Sequence, residues 1–151
     1  MATGTVSSVT GDVWQLIASN TPTTSPTEIV FSSISGYKTI MVVYKGITTG
    51  GTSSLSFKCN ADGTTGNYAG GNSTGTENAI ILVNNSSSTR GGFAIVYDVD
   101  KSIAHKVDVA VVTNVSTTQA YVNPVPITSI TAYAAGQTFT GGTIYLYGIA
   151  A

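Results

Sequence analysis

Thr143 to Ile149, TIYLYGI, is a run of β-formers that is apolar on both of its faces. Successive strand side chains point to opposite sides, so Ile144, Leu146 and Gly148 share one face and Tyr145, Tyr147 and Ile149 share the other. A strand with one solvated face would alternate with polar residues; this one belongs inside a sandwich or against a neighbouring subunit. A second run, Ile127 to Tyr133, precedes it. Gly136 and the Gly141-Gly142 pair between the two runs are residues at which a chain can reverse, so the stretch reads as a strand, a turn and a strand, a closing hairpin.

The rest of the chain follows the same pattern, with no apolar recurrence at helical spacing over a useful length. Val13 to Ala18 is a strand with Trp14 and Leu16 on one face. Pro22 and Pro26 then favour a loop. Glu28 to Ile34 places Ile29 and Phe31 on one side and Val30 and Ile34 on the other. Thr39 to Ile47 reads as a central strand, with Ile40, Val42 and Tyr44 opposite Met41, Val43, Lys45 and Ile47. Leu55, Phe57 and Cys59 point inward against Ser56 and Lys58, so Cys59 fills core space. Asn60 to Asn78 is a long loop, expected to be functional or an interaction element, with Tyr68 its only large apolar group. Ala79 to Val83 and Phe93 to Val99 follow, joined by a Ser- and Gly-rich hairpin loop, and Lys106 to Val112 turns Val107, Val109 and Val111 inward. About eight or nine strands separated by Gly-, Ser- and Thr-rich turns predict an all-β fold. A single antiparallel β-sandwich over residues 13–151 is favoured over a barrel, a jelly roll being one topology it admits. Residues 1–12 are expected to form an N-terminal arm lying along the sheet or a neighbouring subunit.

The chain has 151 residues, which fits one domain able to bury roughly 70% of its unfolded surface. Charged residues make up only 9% of it, with a formal net charge of -1, against about 25% in ordinary soluble domains. Hydroxyls and amides take their place, leaving little electrostatic steering of partners. No basic patch suggests nucleic acid. The first residues lack the features of a secretory signal, and no apolar run approaches the ~18 residues of a membrane helix. The lone Cys59 allows no intrachain disulfide.

Candidate chemistry is sparse. Asp98 and Asp100, two apart and followed by His105, fit a general acid-base site or, better, a solvated turn. Asn60 and Asp62 beside Gly63 suggest an oxygen-rich calcium loop, but no acidic residues stand at its later positions, so an Asp-Gly turn is preferred. One His and one Cys cannot complete a transition-metal site within the chain. Gly46 to Gly51 lacks the lysine and helix of a phosphate loop, and its glycines are read as turns. The Asn-X-Ser/Thr patterns at Asn72, Asn84, Asn85 and Asn114 are expected by chance in so Asn- and Ser-rich a chain. The chain is thus expected to be no enzyme and to need no metal or cofactor. The aromatic residues carry more: Trp14, Tyr68, Tyr133, Tyr145 and Tyr147 are the candidate interface residues, although cross-strand packing within one sandwich accounts for strand aromatics equally well.

Several short motifs follow one another along the chain: Val13-Trp14-Gln15-Leu16-Ile17-Ala18, Ile29-Val30-Phe31-Ser32-Ser33-Ile34, Tyr37-Lys38-Thr39-Ile40, and Leu55-Ser56-Phe57 leading to Asn60, Asp62 and Gly66-Asn67-Tyr68. Ile127-Thr128-Ser129-Ile130 and Gly142-Thr143-Ile144-Tyr145-Leu146-Tyr147-Gly148-Ile149 close the series. With the low charge, this order resembles a broad group of tailed-bacteriophage virion proteins, found as small capsid-surface proteins and as domains of tail fibres. The resemblance implies a non-enzymatic sandwich on the virion, a homotrimer. Without a fibrous shaft before the sandwich, it implies a decoration or cement protein bound to the major capsid protein through the N-terminal arm and one sandwich edge. The alternative it leaves is a receptor-binding tail-fibre or tail-tip protein, contacting host surface glycans through the loops Asn60 to Asn78 and Asn84 to Gly92 and through Tyr68.

Overall fold

The computed structural model describes residues 13–70, 78–86, 88–111 and 117–151; the N-terminal arm, part of the long loop after Asn60 and the segment around Asn114 lie outside them. Eleven strands are formed among the described residues: β1 (Gln15–Asn20), β2 (Glu28–Phe31), β3 (Tyr37–Thr49), β4 (Ser53–Cys59), β5 (Tyr68–Gly70), β6 (Ile80–Ser86), β7 (Arg90–Tyr97), β8 (His105–Val111), β9 (Thr117–Tyr121), β10 (Ile130–Ala134) and β11 (Phe139–Ala150). A seven-stranded sheet has the order β1-β11-β3-β7-β8-β9-β5 and a four-stranded sheet the order β2-β10-β4-β6. Every pairing is antiparallel. The expected all-β sandwich is what the chain forms, with one core between the sheets. Two strands are additional to the pattern read from the sequence: β5, inside the long loop, and β9, in the polar segment TTQAY.

Alternation explains which side chains enter the core. Ile40, Val42 and Tyr44 of β3, Leu55, Phe57 and Cys59 of β4, Val107 and Val109 of β8, and Ile144 and Leu146 of β11 are all buried there. Deviations occur where the backbone breaks its period of two. Ile47 was expected opposite Tyr44, yet it is fully buried on the same core as Tyr44, because the register slips between Tyr44 and Ile47. The extra residue of such a bulge inverts the faces beyond it. Ile34 was likewise expected opposite Ile29 and Phe31. The strand ends before it, Ser33 takes a φ of 60°, and Ile34 turns into the core with its N–H on the Thr128 carbonyl at 2.9 Å.

The Ile127 to Ile149 stretch is not a hairpin. β10 pairs with β2 and β4 in the small sheet, while β11 pairs with β1 and β3 in the large one, so the chain between them crosses the sandwich. Gly141 and Gly142 lie within β11, at register shifts against β3, rather than at a turn. Gly142 has a φ of +89° and a Cβ there would stand 2.5 Å from the Gly46 carbonyl oxygen. Gly46 itself has a φ of +63°. The two glycines therefore let neighbouring strands bulge against each other where no side chain fits.

The pairs β3–β11, β4–β10 and β5–β9 nest inside one another and fall alternately in the large and the small sheet. β7 and β8 fill the large sheet between β3 and β9. Gln119 joins the sheets: from β9 its amide accepts from the Ile81 N–H at 3.0 Å and donates to the Ile81 carbonyl at 2.7 Å. A side chain here pairs with β6 as a neighbouring strand would, satisfying backbone groups on that edge.

Candidate functional site

The register aligns the outward residues of the large sheet into rows. Leu16, Tyr147, Met41 and Ile95 face one another across β1, β11, β3 and β7. One pleat along, Tyr145, Val43, Phe93 and Ala110 do the same across β11, β3, β7 and β8. All eleven strands belong to the two sheets, so among the described residues no third layer of strands covers these rows. Leu16 is 56% exposed and Phe93 40%; Met41, Val43, Ile95, Tyr145 and Tyr147 are half-buried by their neighbours alone. The Tyr145 and Tyr147 rings stack at 6.2 Å between centroids.

Charge is confined to the margins. Lys45 stands opposite Thr143 at one end. On β8, Lys106 donates to Asp108 at 2.8 Å and lies 5.2 Å over the Tyr97 ring. That hydrogen bond raises the Lys106 pKa and lowers that of Asp108, so the pair is compensated in place. Four strands at ~4.8 Å spacing and about six residues of length make roughly 400 Å² of largely uncharged sheet plane. The largest apolar patch of a typical monomer is of this order, about 300–600 Å², and is often functional. The tyrosine-bearing face of β11 was visible in the sequence, whereas Met41, Val43, Phe93 and Ile95 were not picked out as its continuation. Their signal was present in TIMVVY and FAIVY, two strands with apolar residues on both faces.

The other candidate interface residues lie elsewhere. Trp14, 39% exposed, immediately precedes β1. Tyr133, grouped with Tyr145 and Tyr147 by the hairpin expectation, is on the outer face of the small sheet, across the sandwich from them. Tyr68 is only 1% exposed and corrects the expectation of a loop aromatic open to a glycan. Its hydroxyl donates to the Asp62 carbonyl at 2.7 Å and accepts from the Cys59 N–H at 3.1 Å, and its ring packs 5.1 Å from that of Tyr121. Burial pushes the Tyr68 phenol and the Cys59 thiol well above their ordinary ranges.

Asp62 is the hub of that end of the molecule. Its carboxylate accepts from the Thr64 N–H at 2.8 Å, Asn67 Nδ2 at 2.7 Å, the Tyr121 hydroxyl at 2.9 Å and Asn123 Nδ2 at 3.3 Å. Desolvation raises its pKa, but the hydrogen bonds outweigh this and hold it far below the usual carboxylate range. Asn60, at a φ of 54°, accepts from the Thr128 N–H at 2.7 Å and donates to the Pro126 carbonyl at 2.9 Å. The oxygens considered for a calcium loop are thus occupied by N–H and O–H donors and clamp the loop to the 121–129 segment. Among Asp98, Asp100 and His105, Asp100 is paired with Lys101 at 2.6 Å. His105 is buried between two carbonyls, Tyr97 O at 3.3 Å from Nδ1 and Val125 O at 2.8 Å from Nε2. Both its ring nitrogens already face backbone, so from the start of β8 it fastens the end of β7 to the loop at Val125. Arg90 is buried as well, donating to the Ser53 carbonyl at 2.7 Å and to the Thr49 hydroxyl, which ties the β3–β4 turn to β7.

The chain matches no protein-family model and no curated protein.

Proposed function

We propose that this chain is a non-enzymatic structural protein of a tailed-bacteriophage virion, a decoration or cement protein on the capsid surface. Its apolar outer sheet face is then a contact surface within the assembly. The virion assignment comes from the ordered motifs of the sequence. The observation that carries the contact reading is the pair of apolar rows centred on Tyr147 and Phe93, uncharged except at their margins. A face of this kind suits shape-matched burial against a partner rather than recruitment by charge. The partners proposed are further copies of the chain, as a homotrimer, and the major capsid protein. Binding the assembled shell in preference to its free subunits would stabilise the particle by mass action. The nested pairs β3–β11, β4–β10 and β5–β9 support reading the sandwich as a jelly-roll variant, a wrapped ribbon into which β7 and β8 are added.

The alternative of a receptor-binding tip through Tyr68 loses its aromatic contact, since that ring is buried. The deciding experiment is the copy number of this chain per purified particle, by quantitative mass spectrometry against the major shell protein. A ratio near one per shell subunit, or a simple fraction of it, is the expected result. A handful of copies would place the protein at the tail and overturn the decoration reading.

A further inference from the structure

Across the sandwich from the apolar rows, a solvent-open cleft of about 280 Å³ lies where β10 ends and the chain turns toward β11. It is lined by Thr27, Glu28, Tyr133, Ala134, Gly136 and Gln137. Tyr133 and Glu28 are direct cross-strand partners on β10 and β2, so an aromatic ring and a carboxylate stand side by side. The ring is braced: Lys58 Nζ lies 4.6 Å from its centroid, and its hydroxyl lies 3.5 Å from Asn78 Oδ1. Gln137 is held as well, its amide packed so closely on Gly51 that a Cβ there would stand 3.0 Å from Oε1. Gly136, at a φ of +70°, has open space where a side chain would stand, so the turn leaves the cleft clear.

We propose that this cleft is a saccharide site that takes a single neutral pyranose ring. A pyranose presents an apolar C–H face and a rim of hydroxyls, and the cleft offers the matching set. Tyr133 supplies a rigid aromatic surface, Glu28 a two-oxygen acceptor, Gln137 both a donor and an acceptor, and Thr27 a hydroxyl. Anionic ligands fit poorly, because the carboxylate forms the wall while the nearby ammonium of Lys58 is engaged over the ring. Among the described lining residues only Ala134 is aliphatic, which leaves a long apolar ligand little to pack on. The volume falls just below the roughly 300–1,000 Å³ of pockets that enclose drug-sized molecules, which matches one ring and not a chain. The assignment rests on the cleft alone and stands apart from the virion reading.

Saturation-transfer NMR on the full chain tests it, with methyl α-D-glucopyranoside, methyl α-D-galactopyranoside and methyl N-acetyl-β-D-glucosaminide at millimolar concentration as probes. At least one should receive saturation on its ring C–H protons. Tyr133→Ala should weaken binding by up to about tenfold, the usual worth of an aromatic contact. Glu28→Gln, at an exposed position where folding is not at stake, should weaken it as well, and Tyr147→Ala on the far face should leave it unchanged. Transfer to none of the three probes, or transfer undiminished in both Tyr133→Ala and Glu28→Gln, overturns the proposal.

Discussion

Tyr68 and Tyr147 are tyrosines on strands of the same seven-stranded sheet, and their surroundings are opposite. Tyr68, on the edge strand β5, is turned inward with its hydroxyl between the Asp62 carbonyl and the Cys59 N–H. Tyr147, on β11, faces outward among Leu16, Met41 and Tyr145. A buried phenol needs a hydrogen-bond partner, and the Asn60 to Asn67 loop supplies one from its own backbone. On the outer face the phenol oxygen can reach water, so the ring needs only apolar neighbours. One tyrosine fastens the fold and the other is left over from it. What a fold does not use internally is what it can offer to a partner.

The sharpest way to break this contrast is to remove each ring in turn. Tyr68→Ala should destabilise the domain by about 3–5 kcal/mol, through the cavity and the lost hydroxyl contacts together. That is a large share of the total for a domain of this size, and urea unfolding would read it as a fall in midpoint. A change under about 1 kcal/mol would mean that Tyr68 is not a fastener at all.

Asp62→Asn comes next. The variant keeps the shape but turns a charged acceptor of four donors into a neutral amide with one acceptor oxygen, at a cost of about 1.5–3 kcal/mol. The same residue sets a pH dependence. Its folded pKa is depressed below the unfolded value of about 3.9, so between the two the unfolded state binds more protons and stability rises with pH. The contribution is complete above about pH 4–5 and is lost as pH falls through the depressed folded value. Asp62→Asn should therefore flatten the acid limb of the stability curve and leave its neutral part lower but parallel. An acid limb as steep as in the wild type would assign the effect to other carboxylates.

The inward half of this contrast was legible wherever alternation ran unbroken. Leu55, Phe57 and Cys59, or Val107 and Val109, could be placed in the core from sequence alone because one period of two fixes every face. Ile47 and Ile34 could not, since a bulge near Gly46 and a left-handed Ser33 shift the phase, and such shifts leave no mark in hydrophobic periodicity. β9 was hidden because one of its two described inward residues, Gln119, is polar and pairs with the Ile81 backbone through an amide, which leaves Tyr121 as its only large inward apolar side chain. Gly141-Gly142 carries the same residue types in a strand bulge as in a turn, so β10 and β11 read as a hairpin although they lie in different sheets. That misplacement put Tyr133 beside Tyr145 and Tyr147. For Tyr68 the loop composition was legible but its inward rotation was not, because it depends on Asp62 and Tyr121, which a linear reading does not bring together.

The smallest expected change in stability belongs to the outer rows, and there it is most informative. Tyr147→Ser and Phe93→Ser remove large side chains from a face that already meets solvent. Each loses only cross-strand contacts, about 0.2–1 kcal/mol, and thermal melts of the isolated chain should barely move. Burying those same rings against a partner would be worth about 1.5–3 kcal/mol apiece. Occupancy on particles, or self-association followed by light scattering over a concentration series, should then fall far more than stability does. A variant that melts like the wild type yet no longer associates locates the contact on this face. If both variants associate normally, the apolar rows are surplus surface, and the distinction between Tyr147 and Tyr68 reduces to burial without consequence for assembly.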